Sequence, residues 1–179
     1  MAQIKVLVFA LCAALAACAC AKSPGNNANQ AATAAPSSTE APHITSVGVV
    51  KATPGGADIP VGGSGEATVR LNIDQGYHVN ANPPSYPYLK ATEVEIAASN
   101  GLTVSFITYP GGISKKFAFA EKPLSVYEGE ADIKIRLRAD KSAARGSRNL
   151  SGKLLVQACD NQVCYAPGTI NIVIPVNIR

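Results

Sequence analysis

The chain has 179 residues, with 16 Lys and Arg against 12 Asp and Glu, a formal charge of +4 and five cysteines. That length holds one domain of ordinary size plus short appendages. The basic residues are spread through strand-like segments and form no clustered stripe, which argues against nucleic acid as a partner.

The N-terminus carries an export signal. Lys5 is followed by Val6 to Ala17, an apolar run of twelve residues that ends in small side chains. A membrane-spanning helix needs about 20 apolar residues, so this run has the length of a signal h-region instead. Leu15-Ala16-Ala17-Cys18 matches the bacterial lipobox, which makes residues 1–17 a lipoprotein signal peptide and Cys18 the lipidated first residue of the mature chain. The alternative is cleavage after Ala19-Cys20-Ala21, which removes Cys12, Cys18 and Cys20 together. Under the lipobox reading Cys20 stays as an unassigned thiol beside the lipid. Loss of Lys5 with the signal leaves 15 basic against 12 acidic residues, a net charge of +3.

Residues 18–43 read as the lipidated N-terminus and a flexible tether. From Lys22 to Pro42 the chain is built of Asn, Ala, Gln, Ser, Thr and Pro with almost no large apolar side chain, so it cannot bury a core. As a coil this stretch holds the C-terminal domain on the order of 25 Å from a membrane surface.

Residues 44–179 are expected to form one all-β domain. Ala67, Val69, Leu71 and Ile73 alternate with Glu66, Thr68, Arg70, Asn72 and Asp74, and Ile133, Ile135 and Leu137 alternate with Asp132, Lys134, Arg136 and Arg138. Such alternation marks strands with one buried face. Ile170, Ile172, Ile174 and Val176 repeat the period, and shorter candidates are 44–51, 77–80, 93–97, 102–109 and 124–127. Gly- and Pro-rich turns separate them. About nine short strands without a helix predict an immunoglobulin-like antiparallel β-sandwich.

The segment Gln157 to Pro167 holds the chemistry. Cys159 and Cys164 flank the polar turn Asp160-Asn161-Gln162-Val163, between strand-like Leu154-Leu155-Val156 and Thr169 to Ile174. This reads as the mouth of a β-hairpin, where opposed residues lie close enough for a disulfide. An even pair in the body of an exported chain is most simply a disulfide. The ring that it closes is small, so by chain entropy it contributes only about 2 kcal/mol. Strand parity predicts that Leu155, Gln157 and Cys159 face outward if Leu154, Val156 and Ala158 face the core. Two readings are open at this level: a disulfide that exchanges, and one that merely clips the hairpin. The loop has no Lys, Arg or His to lower a thiol pKa, and Asp160 opposes thiolate formation.

Other chemistry is thinly supported. His78 could join Cys159 and Cys164 at a metal, yet the cysteine spacing is wide for zinc and no fourth ligand is evident. Tyr77-His78-Val79 reads more simply as a strand with His78 on its outer face. No Ser-His-Asp group and no paired carboxylates stand out, and no cofactor or metal is expected.

Three motifs in order, Gly76-Tyr77-His78-Val79-Asn80-Ala81-Asn82-Pro83-Pro84, Pro123-Leu124-Ser125-Val126-Tyr127-Glu128-Gly129 and Gln157-Ala158-Cys159 through Cys164-Tyr165-Ala166-Pro167, resemble the N-terminal periplasmic domain of the thiol:disulfide interchange protein DsbD. The resemblance implies an immunoglobulin-like fold whose cysteine pair takes electrons from a membrane-embedded donor and passes them to thioredoxin-like periplasmic proteins. It implies that Cys164 forms the intermolecular disulfide and Cys159 resolves it. It also implies an aromatic-bearing cap loop over the cysteines. The nearest equivalent is Lys116-Phe117-Ala118-Phe119-Ala120-Glu121, with Phe119 the first candidate, Phe117 the second, and core packing the competing role for either. The family's membrane domain and thioredoxin-like domain are not found in the sequence, so a stand-alone, monomeric module on the periplasmic side of the membrane is expected, its donor another polypeptide. The cysteines are separated by four residues where some members have a longer spacing. A binding or assembly lipoprotein with a structural disulfide, and a metal-handling sandwich, are the competing functions.

The lipobox leads to a direct expectation. Cys18→Ala releases the protein from membranes; retention after a salt wash, with no acyl mass on the wild-type N-terminal peptide, refutes the anchor.

Overall fold

The computed structural model describes residues 44–97 and 99–179. The signal segment, Cys12, Cys18, Cys20, the tether and His43 lie outside the described residues. Among the described residues there are twelve strands and no helix: β1 (Val50–Pro54), β2 (Ala57–Ile59), β3 (Ser64–Ile73), β4 (His78–Asn80), β5 (Glu93–Ile96), β6 (Leu102–Thr108), β7 (Ile113–Lys115), β8 (Leu124–Tyr127), β9 (Glu130–Ala139), β10 (Gly146–Val156), β11 (Ala158–Cys159) and β12 (Gly168–Ile178).

These strands form three four-stranded sheets, ordered β1-β3-β9-β6, β2-β12-β10-β5 and β11-β4-β8-β7. The first two make the sandwich. In β9 every second residue from Ala131 to Ala139 is buried, and β12 buries Ile172, Ile174, Val176 and Ile178 in the same rhythm. Ile133, Ile135 and Leu137 of one sheet and Leu154, Ile174 and Ile178 of the other join one continuous buried cluster. This is how two half-apolar sheets satisfy each other. The result is an immunoglobulin-like β-sandwich.

The expected fold class holds, with three differences in detail. Its antiparallel rule is broken once, because β2 runs parallel to β12 with Val176 opposite Ala57. The strand count is higher because β2, β7 and β11 have three, three and two residues, too short for a period to register. The expected first strand over 44–51 is mostly turn, and pairing begins at Val50.

The third sheet positions the site. Its inner surface closes over a satellite cluster of Leu89, Phe117, Leu124 and Val126, with Tyr86 and Ala120 packed against it. β7 reaches β8 in register Ile113↔Val126 through Lys115↔Leu124. That approach requires a glycine just before it, since a Cβ on Gly112 would collide with Ser125 Oγ and lie 2.7 Å from Ala81 Cβ. Gly111 faces open space. Gly112→Ala is therefore expected to destabilise the fold by about 1–3 kcal/mol through overpacking and Gly111→Ala to change it little, as read by denaturant unfolding of the two variants.

Candidate functional site

The disulfide sits where the chain changes sheets. β10 and β12 run together as a long hairpin down to Leu155↔Thr169 and Val156↔Gly168. At Gln157 the chain leaves that ladder, and β11 pairs with β4 instead, Ala158 opposite Val79 and Cys159 opposite His78. Cys159 and Cys164 then face each other across an isolated antiparallel bridge. Their Cα atoms are 3.9 Å apart and the sulfurs are bonded.

Side chains hold the loop that joins them. Asp160 Oδ1 accepts hydrogen bonds from the Gln162 and Val163 N–H groups at 2.7 and 2.8 Å. Its Oδ2 accepts one from the Tyr165 hydroxyl at 2.6 Å, and the Asp160 N–H donates to the Val163 carbonyl at 2.9 Å. An aspartate that caps its own turn is a favoured way to close a tight loop. The Tyr165 hydroxyl, and then the two backbone N–H groups, hold the Asp160 carboxyl below its usual range, while the same bond pushes Tyr165 up to about 12. Asp160 is thus a structural anion.

Ser46 and Gln157 fix the loop to its surroundings. Buried Ser46 donates from Oγ to the Ala166 carbonyl at 2.6 Å and accepts from the Ala158 N–H at 3.0 Å. Gln157 Oε1 accepts from Asn80 Nδ2 at 3.0 Å and from the Lys90 N–H at 2.8 Å. Sequence reasoning missed Ser46 and the bonding role of Gln157, since their partners lie 120, 112, 77 and 67 positions away along the chain.

The two cysteines are unequal. Cys159 is 0% exposed, whereas Cys164 is partly exposed. This corrects the parity argument at Cys159, which it sent outward; Leu155 and Gln157 are partly exposed as it expected. Parity applies only within one ladder. Because the chain switches partners at Gln157, Ala158 and Cys159 are buried in succession as a strand of the third sheet, and Ala158 joins the sandwich core.

His78 is also corrected. It is not on an outer face but 0% exposed, its ring stacked on Phe117 with centroids 4.1 Å apart. Burial pulls its pKa down to about 4, with Lys115 acting in the same direction and Glu128 and Asp160 opposing. The imidazole is neutral at physiological pH. Among the described residues no group of three or more His, Cys, Asp and Glu is gathered as a metal would require.

The two aromatic candidates separate cleanly in position. Phe117 is 3% exposed and belongs to the satellite cluster. Phe119 stacks on Phe117 at 5.3 Å but is 42% exposed, and it lines a groove together with Tyr88, Leu89, Gln162, Val163 and Cys164. Lys116 Nζ donates to the Ala120 and Glu121 carbonyls, closing this segment on itself.

An immunoglobulin-like sandwich bearing one partly exposed disulfide beside an aromatic loop is the class of domain that these features define. The chain belongs to the family described as thiol:disulfide interchange protein DsbD, N-terminal, which matches residues 53–174. Among solved structures it is similar to the DsbD N-terminal domain of Neisseria meningitidis in the reduced form, with 20% identity, 62% of this chain and 77% of that one covered, and a TM-score of 0.43. It is also similar to the N-terminal periplasmic domain of ScsB from Proteus mirabilis, with 22% identity, 69% of this chain covered and a TM-score of 0.46. The alignment spans 44% of that ScsB chain. No curated protein matches the sequence.

Burial predicts unequal mutational costs for the two phenylalanines. Phe117→Ala empties a packed site and is expected to cost about 3–5 kcal/mol, whereas Phe119→Ala is expected to stay within about 1 kcal/mol; denaturant midpoints of the two variants compare them.

Proposed function

We propose that the protein is a periplasmic thiol-disulfide exchange module, held at a membrane through a lipid on Cys18, that passes electrons from a membrane-embedded donor to thioredoxin-like proteins. The observation that carries this reading is the asymmetry of the pair, with one cysteine fully buried and the other partly exposed in an apolar groove. A thiolate from outside meets Cys164 first.

In the reducing direction Cys164 as a thiolate attacks the disulfide of the partner, forming a mixed disulfide and releasing one partner thiolate, which takes up a proton. Cys159 then gives up its proton and attacks Cys164. The Cys159–Cys164 bond forms, the bond to the partner breaks, and the second partner sulfur leaves as a thiolate. Two electrons pass to the partner, and the module is left oxidised until the donor reduces it. The tether of residues 18–43 provides reach between the two encounters.

Phe119 and Val163 are 42% and 50% exposed and flank the groove at Cys164. We assign Phe119 a double role: it shields the disulfide from small thiols, and it supplies apolar contact for a docked partner. Phe119→Ala is expected to speed reduction of the pair by a small thiol with little loss of stability. An unchanged reduction rate removes the shielding role.

The assignment of roles is tested by single substitutions. Cys159→Ala is expected to accumulate a covalent complex with a thioredoxin-like partner that lacks its own resolving cysteine, and Cys164→Ala to accumulate little. Both should stay folded, since the small ring contributes only about 2 kcal/mol. Non-reducing gels with peptide mass mapping read the result. Adducts at Cys159 reverse the roles, and the absence of adducts with any partner, alongside a pair that stays oxidised in millimolar glutathione, makes the disulfide a structural clip.

A further inference from the structure

We propose that His78 is a positioning residue for the redox pair: its buried imidazole takes up a hydrogen bond from the Cys159 thiol when the disulfide is reduced, and thereby biases the pair toward the dithiol.

His78 is wholly buried, and neither Nδ1 nor Nε2 has a hydrogen-bond partner among the described residues. Buried polar side chains are overwhelmingly paired, so an orphaned imidazole asks for a reason. One face lies against Phe117, which fixes the ring plane without bonding to either nitrogen. The charged groups acting on it are Lys115, Glu128 and Asp160. Lys115 and Glu128 pair with each other, and Asp160 is engaged by Gln162, Val163 and Tyr165.

Opposite His78 on the neighbouring strand stands Cys159. Residues directly opposed in an antiparallel ladder project from the same face, with Cβ atoms about 4.5–5.5 Å apart. Cys159 is as completely buried as His78. In the oxidised protein its sulfur is bonded to Cys164 and carries no proton. Reduction breaks that bond and adds two electrons and two protons, one of the protons at Cys159 Sγ. The new S–H is a donor, and the neutral ring has one acceptor nitrogen and one N–H that the sulfur can weakly accept. Thus the bond that is missing in the oxidised state becomes available only in the reduced one. A net hydrogen bond of ordinary strength changes an equilibrium constant by about 2- to 10-fold.

The inference concerns the cysteine pair alone, so its test needs no protein partner and its failure leaves the exchange reading untouched. His78→Phe keeps a ring to stack on Phe117 and removes both nitrogens. The full chain and the variant are each equilibrated with mixtures of reduced and oxidised dithiothreitol, which donates the two electrons and becomes a cyclic disulfide. The equilibrium constant for reduction of the variant is expected to fall about fivefold, equivalent to a potential lower by about 20 mV. The oxidised variant should unfold at the same or higher denaturant concentration, because an unpartnered polar ring has been replaced by an apolar one. A constant within twofold of wild type, or equal destabilisation of both redox forms, overturns the proposal. Should the variant fail to fold, the imidazole 15N shifts of wild type decide: reduction moves one ring nitrogen toward the hydrogen-bonded range, and unchanged shifts overturn the role of His78.

Discussion

The site depends on one event in the backbone, the change of ladder at Gln157. Up to Val156 the chain is the tenth strand of the sandwich, paired along its length with the final strand. Two residues later it belongs to another sheet and lies against His78. Without that switch Cys159 would continue the in-out alternation of its strand, and the two sulfurs would have similar access. With it, one cysteine is buried within the third sheet while the other stays partly exposed at the mouth of the loop. Under the proposed exchange, that unequal access gives the pair one attacked sulfur and one resolving sulfur.

The switch is held by polar contacts that would each be minor alone. Ser46 occupies the backbone groups on both sides of the loop, Gln157 ties the point of departure to Asn80 and Lys90, and Asp160 closes the turn from within. Backbone donors and acceptors that leave a ladder must find partners elsewhere or be solvated. These three side chains supply those partners. The disulfide adds a covalent link to a loop that is already organised, which agrees with the small entropic worth of so short a ring.

The third sheet serves a different purpose from the sandwich. Its satellite cluster buries Phe117 and Leu124 and, by stacking, carries Phe119 at the rim of the groove beside Cys164. A buried aromatic thus supports an exposed one. His78 belongs to this same sheet, with its ring covered by Phe117.

The sequence determined the fold class, because alternation in β3, β9 and β12 reflects half-buried sheets directly, and it determined the cysteine pair and its loop, because both are contiguous. The three motifs also sufficed to place the chain in its family. Tertiary structure alone decided which cysteine is buried, that His78 lies inside, and that Phe117 belongs to a core while Phe119 does not. Parity is a property of one ladder, and it lost its meaning where the chain exchanged β12 for β4. Phe117 and Phe119 show no strand period in sequence; in the turn closed by Lys116 the two rings stack on each other, with Phe117 buried and Phe119 exposed. His78 looked like a solvent-facing polar residue because the layer covering it comes from residues around 117, nearly 40 positions along the chain, a distance over which local pattern carries no information about burial.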